Sequence, residues 1–181
     1  MKFYAALLLT SLISATAYAQ KVNIDYDKKT NFSSYKTYSW AEGTPAKNPL
    51  VHQRIIAGID VQLAAKGWQK VENNSDVVVI YNAATTTETQ INTFETGGPW
   101  GGYRWGWGGY GGFGGGTSTT TVQKIPKGEL VVDMADVKNK EFIWRGTASD
   151  TLSDKPEKNQ KKLDKALAKM FKNFPPTPGQ K

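Results

Sequence analysis

Few side chains in this sequence could carry covalent or metal chemistry. The chain has 181 residues, no Cys and a single His. That excludes a thiol nucleophile, a disulfide framework and any Cys-ligated zinc or iron–sulfur site. A two-His metal motif cannot form within one chain. His52 falls in the first turn of an expected helix beside a loop. A lone His there reads as a surface residue before it reads as a catalyst. Asp133 and Arg145 could serve as an acid and an anion-binding partner. They fall opposite each other on neighbouring expected strands, so a cross-strand ion pair on the less buried sheet face is the simpler reading. Gly106-Trp107-Gly108-Gly109-Tyr110-Gly111 fits the dinucleotide pattern G-x-G-x-x-G. No strand leads in and no helix leads out, so it is not a cofactor site. No catalytic residue, metal or cofactor is therefore expected.

Two stretches are better suited to contact. Residues 97–116 hold 12 of the 18 Gly. Among them stand Trp100, Tyr103, Trp105, Trp107, Tyr110 and Phe113, with Arg104 as the one charge. Such aromatics offer flat apolar faces with polar edges, fit to stack on sugar rings, enter a membrane interface or pack on a protein. The Gly content predicts a mobile tip. The second stretch is basic: Lys158, Lys161, Lys162, Lys165, Lys169 and Lys172, preceded by Lys155, lie on the last expected helix. A solvated helix face is the simpler reading, and an anionic membrane or other polyanion is the functional one.

The first nineteen residues read as an address. Lys2 gives a positive start, Ala5 to Ile13 an apolar run broken by Thr10 and Ser11, and Ala17-Tyr18-Ala19 a small-residue cleavage site. The run is too short for a stable span, and no other apolar run reaches the ~18 residues a span needs. The mature chain is expected to start at Gln20 and form one domain over residues 20–181. With no Cys after the cleavage site there is no lipid attachment point. The product is expected to be soluble in the periplasm or secreted. The whole chain has a formal net charge of +7, yet export makes nucleic acid an unsuitable partner. An envelope protein, a glycan or an anionic membrane surface remain.

The positioning elements follow from periodicity. Val22, Ile24 and Tyr26 alternate with polar residues as in a half-buried strand, and Tyr38 with Trp40 predicts a second. Asn48 and Pro49 can open a helix, whose stripe is Val51, Ile55, Ile59 and Leu63 and whose end is Lys66-Gly67. Gly58 in its middle points to close packing against a strand. Trp68 to Val71 predict a short strand, and the unbroken Val77 to Tyr81 a central strand buried on both faces. Threonine-rich arms around residues 85–93 and 117–122 predict one long hairpin carrying the Gly-rich tip. Leu130, Val132 and Met134 alternate, as do Phe142, Trp144 and Ala148. A turn at Lys138-Asn139-Lys140 pairs Met134 with Trp144 and Asp133 with Arg145. The last helix is expected to start near Asp154, with Glu157 completing a capping box and an apolar stripe from Leu163 to Phe174. The order β-β-α-β-β-β-β-α predicts an α+β fold, a mainly antiparallel sheet with both helices on one face.

Five stretches taken together resemble a known family. They are Asp25-Tyr26-Asp27 with Phe32 and Tyr35-Lys36-Thr37-Tyr38; Arg54-Ile55 with Ile59-Asp60 and Leu63 to Trp68; Ser75-Asp76 before Val77; Leu130 to Asp133 with Trp144 to Ala148 and Asp150 to Leu152; and Phe171 with Phe174-Pro175-Pro176. The chain resembles the bacterial envelope family catalogued as domain of unknown function 4136. That resemblance implies an exported protein, and it carries no agreed activity or catalytic residue. Many members look like lipoproteins, and this Cys-free chain departs from them there. The expected role is a non-catalytic binding or accessory module of the envelope. A membrane-peripheral protein is the alternative, and an uncharacterised hydrolase a more distant one.

Overall fold

The computed structural model describes residues 20–96 and 117–176. The elements follow in the expected order: β1 Lys21–Tyr26, β2 Thr37–Trp40, α1 Pro49–Ala65, β3 Gln69–Lys70, β4 Val77–Thr96, β5 Thr117–Asp136, β6 Glu141–Thr151 and α2 Pro156–Met170. They build one sheet in the order β1-β6-β5-β4-β2-β3. The pairs β1–β6, β6–β5 and β5–β4 are antiparallel. β2 runs parallel to both β3 and β4, because the chain returns through α1 before re-entering the sheet. The fold is α+β, with both helices packed on one face.

The ends of α1 match its sequence signals. The Asn48 side chain accepts from the Leu50 N–H, and Pro49 takes the first turn. Gly67 adopts φ +81°, and the N–H groups of Gly67 and Trp68 close back on Ala64 and Leu63. α2 differs from expectation. It opens at Pro156, its cap residue Lys155 makes no side-chain cap bond, and no capping box forms through Glu157. Asn159 reaches back instead, accepting from the Ser153 N–H and donating to the Ser153 carbonyl.

Ile55, Ile59 and Leu63 of α1 and Ala166, Leu167 and Met170 of α2 bury against alternate sheet residues: Val77, Val79 and Tyr81; Leu130, Val132 and Met134; Trp144 and Ala148. Beyond the end of α2, Phe171 and Phe174 join Phe32, Trp68 and Trp144 in an edge-on aromatic cluster, with Trp68 and Phe174 5.1 Å apart. Gly58 packs closely, but against a helix: a Cβ there would stand 2.5 Å from Leu167 Cδ1. The expectation that Val77 to Tyr81 is buried on both faces is also corrected. Val78 and Ile80 are only half-buried, because no described helix covers the second face. An apolar run cannot distinguish one covered face from two.

The pairing of Met134 with Trp144 and Asp133 with Arg145 is as expected. The route to it is not. The turn spans residues 137–140, and an irregularity at Met134/Ala135 absorbs the extra residue. As a result Ile143 and Trp144 both point inward, and Phe142 is 63% exposed instead of sharing the face of Trp144.

The long hairpin forms as expected. β4 and β5 pair continuously from Val77↔Asp136 to Thr96↔Thr117. β6 accompanies β5 only as far as Lys127↔Thr151, and the loop after β2 accompanies β4 only to the Ala83–Thr44 bond. From Glu88↔Ile125 outward the hairpin is a two-stranded ribbon with no third described strand. Its cross-strand pair Ile91 and Val122 is 66% and 57% exposed.

Candidate functional site

A cleft of about 420 Å³ opens between the N-terminal halves of α1 and α2, over the inner face of β4, β5 and β6. Its walls are largely apolar. Ala83, Leu130 and Ala148 form the floor, Val51 and Ile55 the α1 side, Leu163 and Ala166 the α2 side, and Pro45 with Ala46 the rim from the loop after β2. The helices touch at Gly58 and Leu167, and the aromatic cluster fills the space at the far end of α2. At the near end the inward residues are small, so the same two layers leave a gap. This also explains why Val51, part of the expected stripe, is 36% exposed.

Polar groups are unequally distributed around it. Lys47 and Arg54 stand on the α1 side, and neither makes an ion pair among the described residues. On the α2 side Lys162 is engaged, reaching Asp150 at 3.0 Å and the Thr151 carbonyl at 2.5 Å. Gln20 donates to the Lys162 carbonyl and Gln160 to Asp164, while the Oε1 atoms of both are out of solvent and accept nothing. Two unused acceptors therefore flank the cleft, each on a soft terminal torsion. Sequence reasoning missed this site. Its signal was a set of small inward residues, Ala83, Ala148 and Ala166, where inward positions nearer the aromatic cluster carry Val79 and Tyr81 on β4, Trp144 on β6 and Met170 on α2.

The residues singled out in the sequence are not brought together. Trp100, Tyr103, Arg104, Trp105, Trp107, Tyr110 and Phe113 lie outside the described residues, as does the G-x-G-x-x-G stretch. On α2 and just past it, Lys158, Lys161, Lys165, Lys169 and Lys172 are exposed, whereas Lys162 is half-buried and turned to Asp150. Asp133 and Arg145 form a two-pronged ion pair on the open sheet face, at 2.5 and 3.0 Å. The hydrogen bonds from Arg145 to Asp133 and the charge of Asp133 hold the guanidinium even more firmly protonated than usual. His52 is half-buried, and its Nδ1 shares a hydrogen bond with the Tyr81 hydroxyl.

Other polar residues secure the frame. Asp60 on α1 accepts from the Tyr38 hydroxyl at 2.8 Å, the Trp40 indole at 2.9 Å and Lys70 at 3.2 Å. Asp76 accepts from the N–H groups of Lys36 and Thr37 and from the Thr37 hydroxyl, which holds its carboxyl below the usual carboxylate range. Asp136 is held low chiefly by the Tyr35 hydroxyl, and then by the Asn139 and Lys138 N–H groups. Burial, with Asp136 beside it, pushes Tyr35 up to about 12. No described group of three or more His, Asp or Glu is placed to hold a metal ion. No described helix is long and apolar enough to cross a membrane.

No curated protein matches the chain. Among solved structures, the chain is similar to a PDZ domain protein from Parabacteroides distasonis at 16% identity and a TM-score of 0.49. The match covers 87% of this chain and 35% of that one, so the chain spans about a third of that protein's length. It is also similar to PelC from Paraburkholderia phytofirmans, solved as a dodecamer, at 13% identity and a TM-score of 0.46, covering 84% and 97% of the two chains. A minor lipoprotein from Acinetobacter baumannii matches at 16% identity and a TM-score of 0.36, covering 77% and 90%. The sequence itself is more specific: the profile of DUF4136, a domain of unknown function, matches residues 22–176, almost the whole described domain, and the chain belongs to that family.

Proposed function

We propose that this protein is an exported binding module of the bacterial envelope, without catalytic chemistry of its own, and that the cleft between α1 and α2 is where it binds. The leader-like segment before Gln20 supports export. The cleft carries the binding reading. It falls in the size range of small-molecule sites, is mostly apolar, and has a few polar groups at its edge. The groups best suited to acid–base work are otherwise occupied, Asp133 by Arg145 and His52 by Tyr81. Two measurements test the reading. Intact mass of protein from the native host should start at Gln20 with no acyl chain. An apolar fluorescent reporter, N-phenyl-1-naphthylamine, should bind one molecule per chain and be excluded by Ala148→Trp. A mass retaining residues 1–19 refutes export, and reporter binding unaffected by Ala148→Trp refutes the cleft.

A membrane-peripheral role is the second reading, supported by Lys158, Lys161, Lys165, Lys169 and Lys172, all exposed on α2 or just past it. Sedimentation with vesicles rich in phosphatidylglycerol, but not with phosphatidylcholine vesicles, would favour it.

A further inference from the structure

We infer that the cleft takes a monoacyl glycerophospholipid: one acyl chain, one phosphate and a free hydroxyl. This rests on the reading that the cleft is the binding site, and it adds the class of ligand. The size argues for a single chain. At roughly 30 Å³ per water-sized group, 420 Å³ holds about fourteen such groups, enough for one acyl chain and too few for two. Val51, Ile55, Leu130, Ala148, Leu163 and Ala166 supply a continuous apolar wall for that chain.

The polar edge selects the head. On the α1 side Lys47 and Arg54 are cations with no carboxylate partner among the described residues. Arg offers a planar fork that suits phosphate oxygens. On the α2 side the cation is already neutralised, since Lys162 pairs with Asp150. What that wall offers instead is acceptors, the Oε1 atoms of Gln20 and Gln160. A buried acceptor left unused is destabilising, and a hydroxyl donated by the ligand would remove that cost. A fatty acid has the chain and the anion but nothing to donate when ionised. A two-chain lipid has the head but too much tail.

Displacement of bound N-phenyl-1-naphthylamine tests this, using the chain from Gln20 onward at concentrations below micelle formation. The titrants are 1-myristoyl lysophosphatidylglycerol, myristate, and dimyristoyl phosphatidylglycerol in vesicles. The lysophospholipid should displace the reporter at least tenfold more tightly than myristate. The two-chain lipid should not displace it. Arg54→Gln, an exposed change, should weaken the lysophospholipid about tenfold. Gln160→Leu should bring lysophospholipid and myristate closer together. Equal displacement by myristate, or no effect of Arg54→Gln, overturns the ligand class while the cleft stands. Failure of the reporter to bind overturns the cleft reading and the ligand class together.

Discussion

Removing Arg145 should harm this protein more than removing Arg145 and Asp133 together. The Asp133 side chain is 6% exposed, while the Arg145 side chain is 56% exposed. Both carboxylate oxygens are served by the guanidinium and by no other described donor. Breaking a fully buried pair from one side costs about 3–5 kcal/mol. Here the guanidinium lies open to solvent, so water enters the space it leaves and screening lowers the cost. Arg145→Thr should therefore cost about 2 kcal/mol, near the value for a charged group stripped of its donors. The register adds to this, since Asp25 and Asp133 are the partners of Arg145 on its two sides. Without the cation, two carboxylates face each other across roughly 10 Å, two strand spacings. Asp133→Thr with Arg145→Thr removes the orphan and leaves a β-prone cross-strand pair. The double variant should lie within about 1 kcal/mol of the wild type. Urea unfolding at pH 7, followed by far-ultraviolet circular dichroism, reads the difference. With a slope near 2 kcal/mol/M, the single variant should lower the midpoint by roughly 1 M and the double by half that or less. A double variant as unstable as the sum of both single ones would refute the claim that burial of Asp133 decides the outcome. A double variant that folds normally but loses an enzymatic activity would refute the structural role itself.

Phe171 is fully buried between α2 and Trp144, so Phe171→Ala should cost about 3–5 kcal/mol in the same unfolding assay; a cost below ~1 kcal/mol would mean that α2 is not docked through this face. Asp76 and Asp136 have folded carboxyls below their ordinary value. Their contribution is complete above about pH 4, the unfolded value, and is lost as pH falls through the folded one. Asp136→Asn should therefore be destabilising at pH 7 and converge on the wild type in acid, as thermal melts across pH 2–7 will show. Thr96 and Thr117 are direct cross-strand partners, so replacing residues 97–116 by Asn-Gly should keep the hairpin register and the melting temperature. Unfolding on that replacement would make the stretch part of the core.

Elements set by local chemistry were legible in the sequence. Asn48-Pro49 and Lys66-Gly67 mark α1 because caps are satisfied by neighbours in sequence. The Asp133–Arg145 register followed from a short turn, even though the turn was one residue longer and the irregularity beside Ala135 compensated. Features set by distant partners were not legible. Val77 to Tyr81 is the same string whether a second layer covers it or not. Gly58 signals a close neighbour without saying whether that neighbour is a strand or, as here, Leu167 on a helix. The tie from Asn159 back to Ser153 at the start of α2 takes the place of the box expected at Glu157. The cleft is the extreme case, since it consists of side chains too small to meet, and its edge joins residues as remote as Arg54 and Gln160.

The two-stranded ribbon has a mechanical and electrostatic consequence. From Glu88↔Ile125 to Thr96↔Thr117 it advances about 3.3 Å per residue, a reach of roughly 30 Å beyond the last strand that braces it. Fields in physiological salt decay over about 8 Å. A charged surface touching the ribbon at Thr96↔Thr117 therefore does not sense the lysines of α2 or the cations beside the cleft, and filling the cleft does not change the charge seen there. Any communication between the two ends must pass as torque along a ribbon that no third strand restrains from twisting.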